Sequence, residues 1–303
     1  MTGPRVLFDL PGPRARRRQR IGSALGVLLV LLLVGLALWR LGANGQLEGE
    51  RWAILFDPAT NVPQRLLEAL VNTLQVAAVG MVAATVLGAL LAVGRLSEHA
   101  WLRVPVVAVV EFFRAVPLLV LILFCFLFLP QVGLSLSAFG ALALGLTLYN
   151  MAVLAEIIRA GILSVDRGQS ESAYALGMRK WQVMSFVLVP QAVRRMLPVL
   201  VAQLVVLLKD SSLGFIVGYM ELLRTSRSLV ETLNFSFGPR YTFQLYVAAG
   251  LIYILVNVLL SQLAKYIEKR TSQNAKTAGT TKVELPADSA AVTGVTLDAP
   301  QRP

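Results

Sequence analysis

The stretch Glu171-Ser172-Ala173-Tyr174-Ala175-Leu176-Gly177, continued by Met178-Arg179-Lys180-Trp181 and closed by Val187-Leu188-Val189-Pro190, is a polar interlude in a strongly apolar chain. Its first half is compatible with a helix, and Gly177 breaks that helix while permitting a turn with positive φ. Ser172, Ala173 and Ala175 are small enough to let another surface come close. On either side lie apolar runs, at 138–163 and 196–219, each long enough for a bilayer core, which takes about 20 helical residues. A short helix–glycine–helix unit strung between two membrane spans is presented to water at one membrane face, where it is suited to sit in a groove of a partner.

Outward from this segment, runs at 21–39, 66–94, 104–129 and 242–264 complete the pattern. The chain reads as an all-α membrane protein of six transmembrane helices, with links punctuated by Asp57-Pro58 and Leu129-Pro130-Gln131-Val132-Gly133. Composition agrees: 56% hydrophobic and 15% charged over 303 residues is too apolar for a soluble domain. The net charge of +11 is gathered in short segments flanking the runs, so it sets topology and excludes nucleic acid as a partner. One side collects the N-terminal arginines, Arg95, Arg103, the basic residues from Arg159 to Arg195, Lys265, Lys269 and Arg270. Both termini are therefore expected in the cytoplasm of a cell-membrane protein, and the link 40–65 outside. The run 21–39 exceeds the usual signal-peptide apolar region of about 7–15 residues and is read as a retained helix. The expected organisation is a basic tail at 1–20, an accessory helix at 21–39, a membrane domain at 66–264 with its exposed segment at 168–190, and a disordered tail at 271–303, rich in Ala, Thr and Pro.

Chemistry at a catalytic centre is disfavoured. Cys125 and His99 are the only residues of their types, which excludes internal disulfides, four-cysteine metal sites, clustered histidine sites and His-based triads. No catalytic residue or metal ligand is assigned. The intramembrane ionisable residues are Glu111, Arg114, Glu156, Lys209 and Asp210, and charge in hydrocarbon faces a cavity or a partner. Glu111 and Arg114 share a helix face, as do Glu156 and Arg159, so each pair either neutralises itself or lines a pathway. Pro117 supplies a bend beside the first pair. Lys209 and Asp210 point about 100° apart, so at least one needs a partner elsewhere. Asn150, Val153 and Glu156 or Ile157 fall along one face, and Gln203 lies within two turns of Lys209 and Asp210. Buried Asn and Gln also serve as glue between helices.

The spacing of the opening segment resembles the signature of ABC importer permeases: E-A-A, three residues, G, nine residues, I-x-L-P. Glu171, Ala173, Gly177 and Pro190 match, while Ser172, Val187 and Val189 replace an alanine, the isoleucine and the leucine. The resemblance implies that Glu171, Ser172, Ala173, Gly177 and Pro190 form coupling helices that dock into an ATPase subunit. Further stretches resemble the polar-amino-acid branch of that family: Glu111-Phe112-Phe113-Arg114-Ala115-Val116-Pro117, Ala155-Glu156-Ile157-Ile158-Arg159, Gly168-Gln169 and Leu207-Leu208-Lys209-Asp210-Ser211-Ser212-Leu213. Together they cover 66–270 and imply a five-helix type I permease core with an extra N-terminal helix. The implied partners are ATP-binding cassette subunits, a second permease subunit, identical or different, and an extracytoplasmic substrate-binding protein. The chain has no Gly-Lys dipeptide and hence no Walker A loop, so ATP belongs to the partner and no cofactor to this chain.

An amino-acid substrate carries both charges, which asks for convergent groups of both signs, and Glu111, Arg114, Pro117, Asn150, Val153, Glu156, Gln203, Lys209 and Asp210 are the pathway candidates. Glutamate is the first expected substrate, because 145–150 and 203–215 look most like glutamate-type members and Arg114 with Lys209 suits an acidic side chain, with glutamine, aspartate, arginine or another polar amino acid as alternatives. The competing reading is an ion- or proton-coupled secondary carrier. Such carriers often show inverted repeats, which this sequence lacks, and leave the 171–190 segment without a role.

Overall fold

The computed structural model describes residues 12–238 and 240–278, so the expectations for 1–11 and 279–303 lie outside the described residues. Every regular element described is helical: α1 Pro13–Ala43, α2 Gly49–Ala53, α3 Val62–Arg95, α4 Ala100–Ala115, α5 Leu118–Leu123, α6 Ala138–Leu163, α7 Arg167–Ala175, α8 Lys180–Gln182, α9 Val189–Asp210, α10 Leu222–Phe237 and α11 Thr242–Ala278. Helices α1, α3 and α6, the continuous stretch Lys180–Phe215 that contains α9, and the Thr242–Leu263 part of α11 are each long and apolar enough to cross a membrane.

The run 104–129, expected as one bent span, is instead two helical pieces meeting at 99°. Pro117 explains the break. It removes a backbone donor and drives the preceding residue out of the α region, leaving Val116 extended at φ −80°, ψ 128°. The second piece then lies against α6, where a side chain at Gly145 would meet the Cα of Ile122 at 2.9 Å. Close approach at a small residue is the usual means by which membrane helices gain packing energy, since lipid and leucine are equally apolar. Helices α3 and α6 form the central pair by the same device, with Gly88 against the Met151 carbonyl. Cys125 is buried on α5's continuation, so it fills space and does not face lipid.

The fifth span, expected at 196–219, begins earlier, because a π-helical turn over Val183–Leu188 runs into α9 without interruption. Pro190 lacks the N–H of a regular turn, and the irregular winding before it accommodates that loss.

Helix α10, expected only as a link between the fifth and sixth spans, is an amphipathic helix. It buries Leu222, Leu229, Val230 and Leu233 with Val62 and Leu66 of α3 and Leu245 of α11. Glu221 fastens its start. This carboxylate is 0% exposed and accepts hydrogen bonds from the N–H groups of Leu223 (2.8 Å) and Arg224 (2.7 Å) and from the Tyr253 hydroxyl of α11 (2.7 Å). Thr73 of α3 accepts from the Leu222 N–H at 3.1 Å, so three helices meet at one polar knot. Burial raises the Glu221 carboxyl above its ordinary range, opposed by the three donors.

Helix α1 buries none of its residues. It is tied to the body beyond its end, where the Gln46 carbonyl accepts from Trp52 Nε1 (3.0 Å) and from Gln244 Nε2 (2.9 Å). Two expected boundaries move: α1 starts at Pro13, within the segment read as a tail, and α11 continues past Thr271 to Ala278.

Candidate functional site

The polar segment between the fourth and fifth spans forms two short helices around one left-handed residue. Asp166 caps α7 by accepting from the Gly168 N–H at 2.7 Å. At the other end Met178 N–H reaches the Ala173 carbonyl (3.2 Å) and Gly177 N–H the Tyr174 carbonyl (2.9 Å), with Gly177 at φ +77°. This is a Schellman ending, which requires positive φ at the residue Gly177 occupies. Helix α8 is started by the Gln182 side chain accepting from the Arg179 N–H at 2.8 Å. Ala173 is buried, so it holds α7 to the body, whereas Glu171, Ser172 and Gly177 are exposed. So are large apolar groups: Leu176 is 82% and Trp181 59% exposed. A Lys180–Glu98 ion pair ties the segment to the link after α3. Lys180's hydrogen bond and charge hold the exposed Glu98 carboxyl below its ordinary range.

Within the spans, the two ion pairs expected from spacing both form, and a residue the sequence reading left among flanking charges joins them. Glu111 accepts from Arg114 at 3.3 Å, and Arg159 Nε donates to both oxygens of Glu156 at 3.1 Å. Arg95, the last residue of α3, lies 3.2 Å from both Glu111 and Glu156. Its side chain is only 11% exposed. The result is a chain Arg114–Glu111–Arg95–Glu156–Arg159 across α3, α4 and α6, with one more guanidinium than carboxylates. No local pattern flags Arg95, because both of its partners come from other helices.

Glu111, Arg114 and Ala115 line one cavity together with Tyr149 and Val153, directly before the break at Pro117. Asn150 is fully buried and accepts from Gln203 Nε2 at 2.7 Å, so these two join α6 to α9. Lys209 does not reach that cavity. It lines a groove between α9 and α11 with Tyr253 and Asn257, and among the described residues neither it nor Asp210 makes a salt bridge. The described residues contain no cluster of three or more metal-ligating side chains.

A multi-span helical body, broken at one span and carrying an exposed helix–glycine–helix unit between two others, is the architecture of a multi-pass membrane protein with a polar segment at one face. The family model for the binding-protein-dependent transport system inner membrane component matches residues 84–273, and the chain belongs to that family. It is 40% identical over 233 residues to the glutamate transport system permease protein GluD of Corynebacterium glutamicum, covering 76% of this chain and 83% of that protein. To the glutamate/aspartate import permease protein GltK of Escherichia coli it is 34% identical over 227 residues, covering 72% and 99%. Among solved structures, the crystal structure of an amino acid ABC transporter with histidines superposes with a TM-score of 0.64 at 30% identity, covering 70% of this chain and 97% of the other. The match begins inside α3, so α1 stands outside the family model.

Proposed function

We propose that this chain is the permease through which a binding-protein-dependent ABC importer moves a polar amino acid, with glutamate the first candidate, and that a separate ATPase subunit drives it. The observation that carries this reading is the exposed α7–Gly177–α8 unit running without a break into a span. Movement imposed on Glu171, Ser172, Ala173 and Gly177 would pass through Pro190 into α9. ATP belongs to the partner subunit. The Lys/Arg distribution supports placing both termini and this unit in the cytoplasm, with the binding protein on the other side.

Glu111, Glu156 and Arg114 supply groups of both signs beside the bend at Pro117, where Val153 adds an apolar lining, and the surplus guanidinium suits an acidic side chain. The names of the glutamate and glutamate/aspartate permeases among the relatives support the same substrate class. Asn150 and Gln203 hold the helices that frame this pathway. Exposed Lys209 and neighbouring Asp210 are costly against lipid, so their side of α9 turns to water or to a second permease subunit, whether identical or different.

The test is Arg114→Ala in the complex reconstituted with its ATPase and binding protein. Glutamate uptake is expected to lose about tenfold in kcat/KM, as one charge-assisted contact implies, while insertion and ATPase retention hold. Unchanged kinetics would remove Glu111 and Arg114 from the pathway.

A further inference from the structure

Four spans end around one cleft on the α7 side of the molecule. Val93 and Leu96 close it from α3, Leu102 from the start of α4 and Ile162 from the end of α6, giving an apolar wall. Its mouth holds Arg179 beside the Lys180–Glu98 pair. Because Glu98 already neutralises Lys180, the mouth is left with a net cation, and among the described residues no salt bridge reaches Arg179. Two indoles mark the level of the opening: Trp181, which lines it, and Trp101, 75% exposed and adjoining His99 of the same rim. Exposed indoles at the ends of spans sit at the headgroup layer, because their rings are apolar and their N–H groups are not.

An apolar wall descending from a cation at headgroup level has the two-part chemistry of an acidic phospholipid. We propose that this cleft holds one such lipid, with an acyl chain along Val93, Leu96, Leu102 and Ile162 and its phosphate on Arg179. Charge complementarity selects this occupant over a neutral amphiphile, and the apolar lining selects it over a soluble phosphate. Lys180 and Trp181 belong to the segment leading into α9, so a bound lipid braces that segment against α3 and α6.

The experiment is native mass spectrometry of the purified full chain after exposure to phosphatidylglycerol or phosphatidylcholine in mixed micelles. Phosphatidylglycerol is expected to be retained as a single molecule per chain, with phosphatidylcholine retained about fivefold less. Arg179→Gln is expected to lower phosphatidylglycerol retention by a similar factor, and Leu102→Trp, which fills the cleft without altering charge, to abolish it. Arg40→Gln, a cation at the opposite end of α1, leaves it unchanged. Equal retention of the two lipids, or undiminished phosphatidylglycerol in either cleft variant, overturns the proposal.

Discussion

Gly177→Val is expected to leave the chain inserted at parental levels and to abolish ATP-driven uptake. At φ +77° a β-branched side chain meets its own backbone, a penalty of about 1–3 kcal/mol that the exposed turn escapes by changing conformation. No atom lies within 4 Å of the position a Cβ would take, so the effect comes from the backbone and not from a clash with the body. Escaping the strain breaks the hydrogen bonds from Met178 to Ala173 and from Gly177 to Tyr174, which re-aims α8 relative to α7. A graded series separates strain from bulk. Gly177→Asn should retain most uptake because Asn tolerates the left-handed region, Gly177→Ala should be intermediate, and Gly177→Val should fall below about a tenth. Uptake tracking side-chain volume, with Asn worse than Ala, would point instead to a steric contact with the partner.

Glu221→Ala is expected to be the most damaging single change to the folded body. It leaves the half-buried Tyr253 hydroxyl and the N–H groups of Leu223 and Arg224 without their acceptor, and removes the tie between α10 and α11. Leaving a buried donor without its acceptor costs about 1–3 kcal/mol, enough to deplete a marginally stable folded chain. Glu221→Gln keeps one oxygen for Tyr253 and Leu223 and should cost about 1–2 kcal/mol. The pH response follows from the direction of the shift. Burial raises the folded carboxyl above its ordinary value of 4.5, so its contribution is fully present below that value and is lost as pH rises through the raised one. Thermal unfolding of the purified chain should therefore show a Tm whose decline with pH above 4.5 is steeper in the parent than in Glu221→Gln.

What could be read from the sequence was whatever depends on one helix at a time. The apolar runs around 66–94, 138–163 and 242–264 reappear as α3, α6 and the membrane part of α11, because length and hydropathy are local properties. The glycine of the polar interlude takes the left-handed turn its position implied, since a Schellman ending is encoded within six residues. The pairs Glu111–Arg114 and Glu156–Arg159 follow from spacing alone. The rest depends on neighbours. Pro117 announces a bend, but its size is set by α5 lying on Gly145 of α6. Arg95 resembles any basic residue at the end of a span until α4 and α6 bring Glu111 and Glu156 to it. Helix α10 is too polar on one face to register as a membrane element, although Leu222, Leu229 and Leu233 fall on one side of it, and Glu221 gains its role only through Tyr253 and Thr73 on other helices.

Conduction of a polar amino acid by this chain under the control of a separate ATPase is tested by transport itself. The most direct measurement is uptake of radiolabelled glutamate into proteoliposomes holding the chain with its ATPase and binding protein, with unlabelled glutamine, aspartate and arginine as competitors. Accumulation is expected to require hydrolysable ATP and the binding protein, to continue without a sodium or proton gradient, and to be suppressed by acidic competitors more than by arginine. Accumulation driven by an ion gradient in the absence of the ATPase, or ATP-driven transport that no polar amino acid competes away, would contradict it.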